Sequence, residues 1–212
     1  MDRLEGRRRE IVSVSFSLIQ SLSVIVWLRW SFIQFDSLQN DSLILKRETM
    51  SGMNCFNATP GDTTWMLTAT GLVLLMTPAL AFFESGLLRA KNTLSIVVQI
   101  FTGVISLSLL WFLFGYSITY GNDQAGFIGG INHAFFIGVD YDDCSPHATK
   151  VPAAIFALFQ MMFAVITPLL MTGAFAERMA FKAFFAFILL WEIFVYYPVA
   201  HWIWGGGFLD SW

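Results

Sequence analysis

Three long stretches of this chain carry no charged residue: Thr63 to Phe83, Asn92 to Asn122 and Val151 to Ala176. A run of roughly 20 apolar residues, rising about 1.5 Å each, spans the hydrocarbon core of a bilayer as an α-helix. A fourth run, from about Ala183 to Ile203, is interrupted by Glu192. The sequence therefore predicts spans at about 64–84, 93–120, 151–176 and 183–203. Barrel strands alternate apolar and polar residues over about ten positions, whereas these runs are continuous, so a β-barrel is excluded. With 56% hydrophobic and 13% charged residues in 212, the chain has more apolar surface than a soluble domain could bury. The expected fold class is an all-α polytopic membrane protein.

The connectors differ in charge. LLRAKN holds Arg89 and Lys91, and AERMAFK holds Arg178 and Lys182, while the connector between the second and third spans holds Asp123, Asp140, Asp142, Asp143 and only Lys150. Basic connectors are retained in the cytoplasm, so the acidic connector is expected outside, and the first span is expected to run inward. Net charge is −3, and Arg7 to Arg9 form the only basic block, so nothing supports nucleic-acid binding.

Residues 1–50 read separately. Ile11 to Leu28 is an apolar segment behind Arg7, Arg8 and Arg9, the layout of a signal peptide or anchor. WLRWSFIQF offers no small-residue cleavage site, and Met50 or Met53 is an equally natural start, so a targeting segment and an over-extended start both stand. Cys55 and Cys144 fall on the expected outer side, where a disulfide and two free thiols are both chemically allowed. Asn40 and Asn57 begin glycosylation sequons on that side.

Phe159 and Phe163 are four residues apart in FALFQMMF and share one helix face. Trp204 precedes three glycines that let the backbone approach a neighbour closely and re-aim the ring. Electron-rich rings converging at the end of a span can hold a cation without a counter-charge. Ordinary helix packing explains the two phenylalanines as well, and an interfacial belt explains a tryptophan that Trp202 or Trp212 could match. Pro78, Pro168 and Pro198 lie within spans, where a lost backbone bond bends the helix, either opening a vestibule or fitting neighbours. Glu192 is the one carboxylate in the body of a span and reads as a proton or cation site, or as a hydrogen-bonded packing residue. Glu84, near Arg89, reads as a local ion pair. His201 lacks a second membrane histidine for haem and enough ligands for a metal, and no nucleophile–base arrangement supports an enzyme. No cofactor is called for.

Taken together, FFESGLLRAKN, LLWFLFGYSITYG, FQMMF, GAFAERMAF and YYPVAHWIWGGGFL resemble, in collinear order from about Thr64 to Trp212, the ammonium transporter family of ammonium/methylammonium permeases related to Rhesus proteins. Residues 51–212 then read as a partial transporter domain. The resemblance implies an eleven-span fold of two inverted repeats, of which this chain supplies about four helices of the first, assembled as homotrimers with one pore per subunit. It implies ammonium or ammonia as substrate and the lipid bilayer as solvent; the plasma membrane is the default location for nutrient uptake, and an organelle envelope stays open. By motif position Trp204 is similar to the tryptophan of the outer ammonium-recruiting vestibule, Phe159 to its aromatic partner, and Phe163 to the outer ring of the pore gate. The family's buried aspartate in an Asp-Phe-Ala-Gly-Gly segment, its histidine pair, its second gate phenylalanine and its vestibule serine would all fall beyond Trp212. The expected function is ammonium transport, inactive in the isolated segment; a non-conducting subunit that regulates full-length transporters is the alternative. Glu192 departs from the apolar residue expected at its position.

Overall fold

The computed structural model describes residues 58–141 and 143–210. Asn40, Cys55, Asn57 and the N-terminal segment lie outside the described residues. Among the described residues, four helices are long and apolar enough to cross a membrane: Pro60–Leu87, Thr93–Tyr120, Ala153–Phe175 and Phe181–Trp204, hereafter the first to fourth spans. The first begins at Pro60 because the Thr59 hydroxyl accepts from the Asp62 N–H at 3.1 Å and proline fits the first turn, where its missing N–H costs nothing.

The third span is the centre of the bundle. Two thirds of its most apolar window is buried (67%), against 28% in each of the other three, so the other spans pack around it. One core cluster gathers Trp111, Tyr116, Tyr120, Phe156 and Tyr197 near the acidic connector, which we call the hairpin end. A second gathers Ile96, Ile100, Leu107, Leu169, Phe184 and Ile188 near the basic connectors. Leu67, Leu72, Leu74 and Leu75 of the first span, with Ile105 and Leu109 of the second, stay exposed, as expected of faces that meet lipid or further protein.

Each irregularity in the spans has a local cause or a packing consequence. The first helix runs unbroken through Pro78. In the third span the α-helix Ala153–Leu169 stops just after Pro168, whose ring lacks the N–H that would bond Ala164, and a turn leads into Thr172–Phe175. The second and fourth spans each contain a wide π turn, Trp111–Gly115 and Glu192–Tyr196. In the fourth span this turn lets the Tyr197 N–H reach the Glu192 carbonyl and sets Pro198 in the first turn of the next helical segment, where no donor is needed. The two π turns meet: a Cβ on Gly115 would lie 2.5 Å from the Tyr197 ring, and Trp111 lies 5.8 Å from that ring, centroid to centroid. The Trp111 indole N–H also donates to the Ala157 carbonyl at 3.2 Å, tying the second span to the third.

The connector between the second and third spans folds into two short antiparallel hairpins, Asp123–Gln124 with Ile128–Gly129 and Cys144–Ser145 with Ala148–Pro152. Ser117, at the end of the second span, holds the connector by donating to the Gly130 carbonyl and accepting from the His133 N–H, both at 2.8 Å.

At the basic end the expected Glu84–Arg89 ion pair does not form. Glu84 lies inside the helix end, only 3% exposed, and accepts from the Thr172 hydroxyl of the third span. Arg89 lies past the end of the helix in water and reaches Glu177 at 3.9 Å. The helix ends at Leu87 and Leu88 is extended, so sequence proximity did not bring the two residues together. Asn92 donates to the other Glu177 oxygen at 2.7 Å, which joins the two basic connectors.

Candidate functional site

The face of the third span that carries Phe159 and Phe163 turns towards the fourth and first spans. The two rings meet edge to face with centroids 4.9 Å apart, the geometry their quadrupoles favour. Phe163 is almost fully buried, packed with Val73 of the first span and Met162. Between the third and fourth spans lies a cavity of about 200 Å³ whose wall is almost wholly apolar. Phe163, Gln160 and Thr167 line it from the third span, and Trp191, Tyr196 and Trp204 from the fourth. Thr167 spends its hydroxyl on the Phe163 carbonyl at 2.6 Å, so its methyl is left for the cavity.

Phe163 and Trp204 thus share one cavity, whereas Phe159 does not line it and meets the ring of Phe163. Gln160, Thr167, Trp191 and Tyr196 are cavity residues that the sequence reading missed. Gln160 carried the available signal, being an amide in an uncharged run between the two phenylalanines, buried here to 3% exposure. A cavity of this size holds several small molecules or one solvated cation, since a liquid water occupies about 30 Å³. Aromatic faces around such a volume attract a small cation electrostatically, by about 0.5 kcal/mol when exposed and about 2 kcal/mol or more when water is excluded.

The turn after Trp204 is built for close approach. A Cβ on Gly205 would lie 2.0 Å from the Thr119 carbonyl oxygen and 2.6 Å from His201 Nδ1, and one on Gly207 would lie 2.6 Å from the Trp202 Cα. Gly206 has φ +85°, a left-handed conformation that favours glycine. The tight turn brings the Phe208 N–H to the Gly126 carbonyl at 3.2 Å and stacks Phe208 on Phe127, which seats the first hairpin on the end of the fourth span. The Trp202 indole is used there too, donating to the Phe127 carbonyl at 2.8 Å, so it does not share the position of Trp204.

Glu192 is fully buried, but it does not line the cavity. Its carboxyl and the Tyr197 hydroxyl are buried side by side, near enough to interact but without good hydrogen-bond geometry. Cys144 is buried on its hairpin and is not a free thiol. Among the described residues no three histidine, cysteine or acidic side chains cluster as a metal site.

The sequence profile described as the Ammonium Transporter Family matches residues 64–212. Ammonium transporter 1 of Dictyostelium discoideum is 65% identical over 152 residues, which cover 72% of this chain and 33% of that protein. A putative ammonium transporter of Methanothermobacter thermautotrophicus is 47% identical over 153 residues, 71% of this chain and 37% of that protein. Among solved structures, Candida albicans Mep2 aligns with a TM-score of 0.66 at 33% identity, over 73% of this chain and 34% of that one. The chain spans about a third of the length of the curated relatives it matches. Its four spans are the N-terminal portion of their fold. With the match covering well over half of its residues, the chain belongs to the ammonium transporter family.

Proposed function

We propose that this chain contributes the first four spans of a transporter that moves ammonium across a membrane, with Trp204 and Phe159 recruiting the cation and Phe163 as the outer ring of the pore gate. The observation that carries this reading is the cavity walled by Phe163 of the third span and Trp204 of the fourth. Ring faces compensate part of the water that ammonium sheds, and an apolar wall leaves no fixed counter-charge to trap it. Orientation follows from connector charge: the hairpin end lies outside and the basic end in the cytoplasm, with the plasma membrane as the default site for nutrient uptake. Cys55 and Cys144 then face an oxidising compartment and pair there, while Asn40 and Asn57 are accessible to glycosylation. Glu192 acts as a packing residue beside Tyr197, because it is fully buried and does not line the cavity. The apolar faces left exposed on the first and second spans suit further spans of the same subunit and neighbouring subunits of a homotrimer. For the same reason the four spans alone do not conduct; such a segment would instead bind full-length subunits.

The test is a graft of residues 64–212 in place of the matching stretch of the Dictyostelium discoideum relative, assayed by methylammonium uptake. Trp204→Ala should weaken apparent affinity about 2- to 30-fold, which corresponds to loss of about 0.5–2 kcal/mol of cation–π attraction. Unchanged uptake in both Trp204→Ala and Phe163→Ala would refute the assignment.

A further inference from the structure

We propose that His201 is a positioning residue for Trp204, acting through a bridge from its ring to Thr119 and Asp123. The inference rests on the reading of Trp204 as a recruitment residue.

The His201 ring is fully buried. Its Nδ1 lies 2.8 Å from the Thr119 carbonyl oxygen at the end of the second span. Its Nε2 lies 3.0 Å from Asp123 Oδ1 at the start of the first hairpin. A carbonyl oxygen can only accept, so Nδ1 must carry a hydrogen. Asp123 is an acceptor as well: its two carboxylate oxygens take the Gly126 N–H at 2.8 and 3.0 Å. The ring therefore bridges the end of the second span and the turn of the first hairpin, its Nδ1–H donating to Thr119 and its Nε2 held against the Asp123 carboxyl group.

The backbone of the same residue is equally committed. The His201 carbonyl accepts from the Gly205 N–H at 2.9 Å and from the Gly207 N–H at 3.1 Å, which shapes the turn immediately after Trp204. Gly205 in turn lies against both the Thr119 carbonyl and the His201 ring, with no room for a side chain. One residue thus joins the end of the second span, the first hairpin and the glycine turn. Trp204 follows three residues later, within one helical turn, and its indole borders the cavity. Where recognition depends on ring faces, a small rotation of the helix end changes the cation's distance from the indole, and misplacement of about 1 Å in a binding constellation is costly.

The test uses the same graft in the Dictyostelium discoideum relative, with methylammonium uptake normalised to surface abundance. His201→Ala and Asp123→Ala should each raise KM about 3- to 30-fold while Vmax per surface molecule changes by less than about twofold. His201→Asn, whose amide nitrogen can replace Nδ1 as donor to Thr119, should recover part of the loss. The decisive measurement is the double variant: if His201 acts through Trp204, His201→Ala should add nothing to the KM of Trp204→Ala. Should His201→Ala fail to reach the surface, Asp123→Ala decides, because its side chain is 39% exposed and its removal leaves the core intact. An unchanged KM in Asp123→Ala at normal abundance overturns the inference, as does an equal rise in KM with and without Trp204. Failure of the recruitment reading is told apart by Trp204→Ala alone, which would then leave KM unchanged.

Discussion

Gly205→Ala should be the most damaging single-methyl addition at the hairpin end. The new Cβ would sit 2.0 Å from the Thr119 carbonyl oxygen, 2.6 Å from His201 Nδ1 and 2.9 Å from the His201 Cα. Two of those three atoms are backbone, so no rotamer change relieves the clash. Either the end of the fourth span shifts away from the second, or the Thr119–His201 bond breaks. Overpacking of this kind costs about 1–3 kcal/mol. A buried acceptor or donor left unmade adds about 1–3 kcal/mol more. The sum is about 2–6 kcal/mol. Gly86 is the control, since nothing lies within 4 Å of a Cβ there and helix propensity favours alanine over glycine. In detergent-solubilised graft protein, the temperature at which the monodisperse chromatographic peak is lost should fall sharply for Gly205→Ala and stay level or rise for Gly86→Ala. Equal behaviour of the two variants would refute the packing argument for this turn.

Three further outcomes follow from the same geometry. Gly115→Ala should lower stability by about 1–3 kcal/mol in that chromatographic assay, because its methyl would lie 2.5 Å from the Tyr197 ring where the two π turns meet. Glu192→Leu should hold or raise stability, because its buried carboxyl lacks good hydrogen-bond geometry even to the neighbouring Tyr197 hydroxyl, and a drop would mean that this contact or another part of the assembly stabilises the carboxyl. Glu177 is held below its ordinary value of 4.5, first by the hydrogen bond from Asn92 and, after a small opposing effect of burial, by the nearby Arg89 charge. A depressed folded-state value means that the link between the basic connectors is fully present above the ordinary glutamate range and is lost as pH falls through the lowered value. A carboxyl NMR titration should place the Glu177 midpoint below 4.5, and Asn92→Ala should move it up.

The spans were legible because bilayer thickness fixes their length, and a charge within the hydrocarbon is expensive wherever it falls. A count of uncharged residues is then enough to locate them. The Phe159–Phe163 contact was legible for a related reason: residues four apart on a helix are neighbours whatever else the chain does. Glu84 shows where that logic stops. Arg89 is five residues away, yet the partner of Glu84 is Thr172, which the sequence separates by 88 positions. The hairpins escaped notice because strands of two to five residues leave little periodic signal. The π turn at Glu192–Tyr196 had Pro198 as its only hint, and the turn at Trp111–Gly115 had none.

By itself, then, the sequence determined that the chain is a membrane protein, about where its long apolar helices lie, and which rings share a helix face, since each of these depends on local length, charge or helical period. Tertiary structure alone decided that Phe163 and Trp204 border one cavity, that Glu192 lies away from it, and that His201 is clasped between Thr119 and Asp123. Those contacts join residues about 40 to 80 positions apart, and among many apolar helices of similar length and composition only the fit of one surface against another selects which faces meet.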